Sequence, residues 1–89
     1  MGTSNAQLRD GLRRMVAEIG EIPADFDPHL NLYLDLGVPS AKAMQLLMEL
    51  EDRYGVRVPD DEFVEATSLD SLAAMMERLV SAQESGSTA

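Results

Sequence analysis

The sequence predicts an all-α fold: a small four-helix bundle with three longer helices, one short helix and a long loop between the first and second helices. Apolar residues recur at helical spacing in three long segments, and Gly or Pro lies at the ends of these segments. Only residues 56–58 have the character of a short extended piece. The 89 residues are enough for one domain, which we expect to be ordered over about 4–82 with a flexible tail over 83–89.

The first helix is predicted to begin at Ser4 and to end at Gly20. Ser4 and Gln7 have the spacing of a capping box, in which each side chain accepts from the other residue's backbone N–H. Pro23 prevents the helix from continuing. Its apolar face is predicted to be Leu8, Leu12, Met15, Val16 and Ile19.

Residues 20–39 are predicted to form the long loop, because prolines and glycines recur throughout them. Six apolar side chains are expected to tuck beneath it: Ile22, Phe26, Leu30, Leu32, Leu34 and Leu36. A loop of this length is uncommon in so small a domain and is more often functional than not.

The second helix is predicted to begin at Ser40 and to end at Gly55. Its apolar face comprises Ala43, Leu46, Leu47, Leu50 and Tyr54. A brief third helix is predicted near 60–66, where acidic residues follow a proline. Thr67 and Asp70 have the spacing of a second capping box, which begins the fourth helix. The fourth apolar face comprises Leu69, Leu72, Ala73, Met76, Leu79 and Val80.

The charge balance excludes several classes of partner. Sixteen acidic residues against seven basic ones give a net charge of −9, which repels nucleic acid and anionic membranes. It also favours a monomer. No apolar run approaches the roughly 18–20 residues of a membrane span. The chain has no cysteine, which fits a cytoplasmic location and excludes disulfides, zinc thiolates and a cysteine nucleophile.

Residues able to perform catalysis or bind metal are sparse. His29 is the one histidine, and it is interpreted as a solvated or half-buried loop residue. Residues 25–27 resemble the start of a calcium-binding loop, but Leu30 and Leu36 occupy the positions that require Gly and Glu. We therefore predict no catalytic residue and no metal site.

The most informative segment is residues 34–41, which run directly into the second helix. Gly37 permits a turn of either hand, and Pro39 fixes its own φ. Ser40 is thereby presented at the mouth of a helix, where its hydroxyl has two interpretations. It is either a helix N-cap or a phosphate attachment point, since a helix N-terminus stabilises anions.

These residues resemble a known motif. Asp35, Leu36 and Gly37, followed by Ser40, are similar to the attachment motif of acyl carrier proteins, usually Asp-Leu-Gly-x-Asp-Ser-Leu. The similarity extends to three further segments. They are the second helix over 46–55, the start of the third helix over 58–62 and the residues that lead into the fourth helix over 66–69.

The resemblance implies that a separate phosphopantetheinyl transferase attaches 4′-phosphopantetheine from coenzyme A to Ser40. The chain would be a carrier without catalytic activity, served by acyl-loading and acyl-accepting enzymes with basic docking surfaces. The residues that match the family's docking positions are Asp35, Ala41, Met44, Met48, Glu51 and Asp52. A carrier of this kind is expected to have a gap between helices two, three and four for a short acyl chain.

Three residues depart from the family pattern. Pro39 replaces an aspartate, Ala41 replaces a leucine, and Gln45 stands where an acidic residue is common. The hypothesis that follows is a dedicated carrier for a specialised polyketide, modified fatty acid or aminoacyl pathway.

Two alternatives stay open. In the first alternative, the chain is an acidic helical interaction module without a prosthetic group, and Ser40 only caps a helix. An enzyme is a third and poorer interpretation. Residues 70–72 also spell Asp-Ser-Leu, but Ser71 is predicted to be a helix-start residue that faces water.

Overall fold

The computed structural model describes the backbone of residues 5–86 and the side chains of residues 5–83. Four helices account for its regular structure: α1 (Asn5–Gly20), α2 (Lys42–Tyr54), α3 (Asp60–Glu65) and α4 (Leu69–Gly86). α1 packs against α4 and α2, and α3 packs against α4. The predicted all-α class, with three longer helices, one short helix and a long first loop, is confirmed.

The core forms where the predicted apolar faces meet. Leu8, Leu12, Met15 and Val16 of α1 are buried, and Ile19 packs against them half-exposed. α2 contributes Leu46 and Leu50, and α4 contributes Leu69, Leu72, Ala73, Met75 and Met76. Removal of such side chains from water is the main favourable contribution to folding, about 1.5–3 kcal/mol for each large one.

The first part of the loop is fastened to α1 by one arginine. The Arg13 guanidinium donates to the backbone oxygens of Ala24 and Phe26, at 2.6 and 2.7 Å. It also lies 4.8 Å from the centre of the Phe26 ring, a cation–π contact. Phe26 is thereby held in the core, as predicted from its place in the sequence.

The second part of the loop contains one helical turn that the sequence analysis did not predict. The backbone N–H groups of Asp35 and Leu36 donate to the Asn31 oxygen, at 2.9 and 3.0 Å. The Asn31 side chain accepts from the N–H of Leu34, and the Asp35 carboxylate accepts from the N–H of Asn31, both at 2.9 Å. Side-chain oxygens of Asn31 and Asp35 thus satisfy backbone N–H groups at the start of the turn, as capping side chains do at a helix N-terminus.

The turn corrects part of the predicted loop packing. Leu32 is buried as expected, but Leu34 is 85% exposed and Leu30 is 38% exposed. Residues two apart on a helical turn point to nearly opposite sides, so burial of Leu32 directs Leu34 to solvent.

α2 begins at Lys42, two residues later than predicted. The N–H groups of Lys42 and Ala43 donate to the carbonyls of Pro39 and Ser40, at 2.9 and 3.0 Å. These i→i+3 bonds are of the 3₁₀ type, so a tighter turn precedes the α-helix. The end of α2 is as predicted, since Gly55 adopts a left-handed φ of 64° and its N–H donates to Glu51.

The cap of α4 lies one residue later than the predicted Thr67 and Asp70. Ser68 Oγ accepts from the N–H of Ser71 at 3.2 Å, and Ser71 Oγ accepts from the N–H of Ser68 at 3.0 Å. The helix begins at Leu69, so Ser68 occupies the N-cap position and Asp70 is free for other contacts.

α4 continues to Gly86, beyond the residue at which the sequence predicts that regular structure ends. The rest of the predicted tail, residues 87–89, and the predicted Ser4 cap lie outside the described residues. Within the described part of the chain, no helix combines the length and the apolar character needed to cross a bilayer.

Candidate functional site

Ser40 lies on the exposed turn that precedes α2. Its backbone oxygen accepts from the N–H of Ala43, but its hydroxyl has no hydrogen-bond partner among residues 5–83. The N-cap position of α2 belongs to Ala41, and no side chain caps the helix there. Ser40 therefore does not have the capping role that one interpretation of the sequence assigned to it.

The segment leading to Ser40 is held by backbone and side-chain contacts. Gly37 adopts a φ of 77°, in the left-handed region that favours glycine. The N–H of Val38 then donates to the carbonyl of Leu32 at 2.9 Å, and the Val38 side chain is buried. Pro39 follows with its fixed φ, so Ser40 extends from a constrained segment.

The electrostatics of this turn favour an anion. The N–H groups of Ser40 and Ala41 have no acceptor within the part of the chain that the structure describes, and the first turn of α2 has no acidic side chain. Unpaired N–H groups and the positive end of the helix dipole both stabilise negative charge. The turn thus fits a phosphodiester on the Ser40 hydroxyl.

The one lysine near the site is paired. Lys42 Nζ lies 2.8 Å from Glu21 Oε2, at the end of α1. The hydrogen bond and charge of Lys42 lower the pKa of the Glu21 carboxyl. Lys42 therefore presents less free charge to a partner than the sequence alone implies.

Three predicted docking residues line one face of α2. Ala41 is exposed, and Met44 and Met48 are each 63% exposed. With the neighbouring polar side chains they line an open surface concavity of about 860 Å³. Met side chains adapt to irregular surfaces, so this face suits contact with a partner protein.

The predicted acidic docking residues differ in their availability. Glu51 is half-buried, and its Oε2 accepts from the N–H of Val58 at 2.9 Å. Asp35 is exposed, but its carboxylate is used in the turn with Asn31. Asp52 is exposed and has no partner among the described residues. Two of the three carboxylates thus have structural contacts that motif matching did not reveal.

Ser71 does not face water freely, contrary to the prediction. It is half-buried, and its hydroxyl lies 2.8 Å from Ser68 Oγ and also donates to the Ser68 carbonyl. Its predicted place in the first turn of α4 is confirmed. A hydroxyl bonded in this way is a poor acceptor for a prosthetic group.

Sequence reasoning missed an ion cluster around Asp70. The Asp70 carboxylate contacts the Arg9 guanidinium of α1 and the His29 imidazole of the loop. The hydrogen bond from Arg9 is the main reason that the pKa of Asp70 lies below its usual value. His29 is 78% exposed, so its predicted place as a loop residue agrees with the structure.

A small apolar pocket beside the site lies elsewhere than the predicted gap. It is bounded by α1, the loop and the start of α2, and it has a volume of about 10 Å³. A pocket of that size holds about one water molecule. An acyl chain would have to displace core side chains to enter it.

Comparison with known proteins places this site in context. The family described as "Phosphopantetheine attachment site" matches residues 10–76. The "Acyl carrier protein" of Acidothermus cellulolyticus is 33% identical over 63 residues, covering 70% of this chain and 75% of the relative. That of Thermobifida fusca is 30% identical over 63 residues, covering 70% and 80%. The "Meromycolate extension acyl carrier protein" of Mycolicibacterium aurum is 25% identical over 80 residues, covering 89% and 82%.

Proposed function

Because the chain belongs to the acyl carrier proteins, a family with a phosphopantetheine attachment site, we propose that Ser40 carries the 4′-phosphopantetheine arm. We also propose that the protein serves a specialised pathway. Members of this family are non-catalytic carriers that serve separate enzymes. The arm supplies a terminal thiol that holds an acyl group as a thioester. The chain's own contribution is an accessible hydroxyl, an anion-tolerant turn and a docking face.

The observation that carries the proposal is the exposed Ser40 hydroxyl at the N-terminal end of α2, which has no hydrogen-bond partner among residues 5–83. In the transfer, the Ser40 oxygen forms a bond to the phosphorus nearest the pantetheine of coenzyme A. The bond to the departing adenosine bisphosphate breaks, and the hydroxyl proton passes to a base of the transferase. The N–H groups of Ser40 and Ala41, which find no acceptor among the described residues, favour the phosphate that stays on the chain.

We further assign the partners by the chemistry of the docking face. A phosphopantetheinyl transferase and the acyl-loading and acyl-accepting enzymes would contact Ala41, Met44 and Met48 with apolar groups. Basic groups on those enzymes would face Asp52, with Glu51 and Asp35 contributing charge while their oxygens stay internally bonded. The net charge of −9 would steer basic partners and favour a monomer. We propose a cytoplasmic location, which the absence of cysteine fits.

The specialised pathway is supported by the unusual residues beside Ser40. Pro39 and Ala41 lack the charge and bulk of the family pattern, which weakens recognition by enzymes that read those groups. One relative is named for meromycolate extension, which supports a pathway other than general fatty-acid synthesis. Efficient loading and turnover by a housekeeping fatty-acid synthase would contradict this assignment.

Mass spectrometry tests the attachment directly. The purified chain is incubated with coenzyme A, magnesium and a promiscuous phosphopantetheinyl transferase. We expect the mass of one 4′-phosphopantetheine to be gained by the wild type and by Ser71→Ala, and none by Ser40→Ala. No gain in the wild type with several transferases would instead favour the acidic interaction module without a prosthetic group.

A further inference from the structure

The last residue of α1 and the residue that follows it each contact a residue beside Ser40. Gly20 packs against Val38, two residues before the serine, and Glu21 pairs with Lys42, two residues after it. The end of α1 therefore contacts both sides of the attachment turn.

Gly20 leaves the space that Val38 occupies. A Cβ at position 20 would lie 2.8 Å from Val38 Cγ2 and 3.5 Å from Val38 Cγ1. Real Cβ atoms essentially never approach another heavy atom as closely as the first of these distances. The branched Cβ of valine restricts its χ1 angle, so the Val38 side chain has little freedom to turn away. Alanine at position 20 thus requires Val38 and the end of α1 to move apart.

A shift of Val38 is transmitted to Ser40. Pro39 is the one residue between them, and its ring fixes its φ. Pro39 also accepts from the N–H of Lys42, which closes the turn around the serine. The turn is therefore a short, hydrogen-bonded unit, and it moves with its anchor.

The Glu21 contact acts on the other side of the turn. Glu21 has a φ of 57°, unusual for a residue other than glycine, and its carboxylate lies 2.8 Å from Lys42 Nζ. This backbone conformation reverses the chain immediately after α1 and brings the carboxylate to the start of α2. An exposed ion pair contributes little energy, so this contact is secondary to the Gly20 packing.

We propose that Gly20 is a positioning residue for the attachment turn, setting the location of Ser40 through Val38, with the Glu21–Lys42 pair as a second restraint. The proposal rests on the proposed function, because it concerns how the serine is presented to a transferase. Docking residues on α2 take no part in it.

Gly20→Ala tests the proposal, with Gly11→Ala as the matched control. Gly11 lies in the same helix, and a Cβ there would also meet an atom at 2.8 Å, the Tyr54 hydroxyl at the far end of α2. Transfer from coenzyme A is measured at varied carrier concentration. We expect Gly20→Ala to lower kcat about tenfold or more, since misplacement by about 1 Å can reduce a rate on the order of 10²-fold. Gly11→Ala should keep the wild-type kcat.

The separation of kcat from KM distinguishes positioning from loss of stability. The carrier is the substrate of the transferase, so partial unfolding lowers its effective concentration and raises KM at constant kcat. A misplaced hydroxyl on an intact docking face lowers kcat instead. A rise in KM alone, or equal losses of kcat in both glycine variants, would overturn the proposal.

Val38→Ala provides a second variant that removes the γ carbons near Gly20. In a double-mutant cycle, Gly20→Ala should have no further effect on kcat when Val38 is already alanine. Independent, additive effects of the two changes would contradict the proposed contact.

Amide hydrogen exchange tests the same contact without any transferase. The N–H groups of Val38, Lys42 and Ala43 are hydrogen-bonded in the turn, and Gly20→Ala should make them exchange at least several-fold faster. Gly11→Ala should leave their exchange unchanged. A wild type that gains no mass would refute the proposed function, whereas unchanged exchange in Gly20→Ala would refute the positioning role.

Discussion

The hydroxyl of Ser40 differs in its bonding from those of Ser68 and Ser71. The latter two hydroxyls bond to each other and to backbone groups at the start of α4. The Ser40 hydroxyl has no partner within the described residues, so no internal bond has to be broken before it can be modified. The tripeptide Asp-Ser-Leu alone therefore does not identify the serine that is modified, because local hydrogen bonding decides which hydroxyl is available.

At the residue scale, Glu51 and Asp52 should have different effects on stability although they are adjacent acids. Glu51→Ala removes the carboxylate that accepts from the N–H of Val58, and we expect a loss of about 1 kcal/mol in the free energy of unfolding. Asp52→Ala removes an exposed carboxylate and should change it by less than about 0.5 kcal/mol. Urea denaturation of the two variants measures the difference.

The two substitutions share the same helix, so the intrinsic preference of alanine for helix acts in both. Equal stabilities for both variants would contradict the structural role of Glu51. If Glu51 has that role, weaker partner binding by Glu51→Ala can result from lost stability as well as from a lost partner contact. Asp52→Ala should leave stability nearly unchanged, so its effect on partner binding reports the docking contact directly.

The helices themselves were predictable from the sequence because their signal is local. Apolar residues at helical spacing reveal which face is buried, and the faces of α1, α2 and α4 agree with the predicted ones. The helix starts were less predictable. A capping side chain needs a particular backbone geometry, and several Ser, Thr and Asp residues compete for each cap. At α2 the tight turn after Pro39 delays the start to Lys42.

Ser68 and Thr67 test the revised cap of α4. Ser68→Ala removes the oxygen that accepts from the N–H of Ser71, and the free energy of unfolding should fall by about 1 kcal/mol. Thr67→Ala leaves that bond in place and should have a smaller effect, within about 0.5 kcal/mol. Thermal denaturation compares the pair, and a larger loss in Thr67→Ala would restore the cap predicted from sequence.

The candidate site was predictable only in part. The spacing of Asp35, Leu36, Gly37 and Ser40 suffices to predict an attachment serine, since a motif is a property of the sequence. The bonds of Glu51 to Val58 and of Asp70 to Arg9 could not be predicted from the sequence, because they join residues that only folding brings together. No local pattern marks such a carboxylate as structural rather than available for docking.

At the scale of the whole molecule, Asp70 joins three parts of the chain. Its carboxylate contacts Arg9 of α1 and His29 of the loop, and its N–H donates to the Pro28 carbonyl at 3.1 Å. The nearby N–H of Leu32 donates to the Thr67 carbonyl at 2.7 Å. These contacts fix the middle of the loop to the start of α4.

Stability should depend on pH through Asp70. Its pKa in the folded protein lies below the usual value of 3.8, chiefly because Arg9 donates to it. A carboxyl with a lowered pKa contributes stability above its unfolded pKa, and that contribution is lost as the pH falls through the folded pKa. In a His29→Gln background, Asp70→Asn should therefore lower Tm by a similar amount at pH 7 and pH 5, and by less below about pH 4.

The His29→Gln background leaves Arg9 as the charged side chain in contact with Asp70, so the comparison reports on that ion pair. If the loss of Tm caused by Asp70→Asn becomes larger as the pH falls from 4 to 3, the proposed contribution of this ion pair is contradicted.

The turn closed by Asn31 and Asp35 has a consequence for the kinetics of association. Residues 31–36 are already folded in the free carrier, so little conformational entropy is lost when a partner engages the neighbouring serine. Encounter would then proceed as the meeting of two rigid bodies. Discrimination between correct and incorrect enzymes would be expressed in how long each complex lasts rather than in how fast it forms.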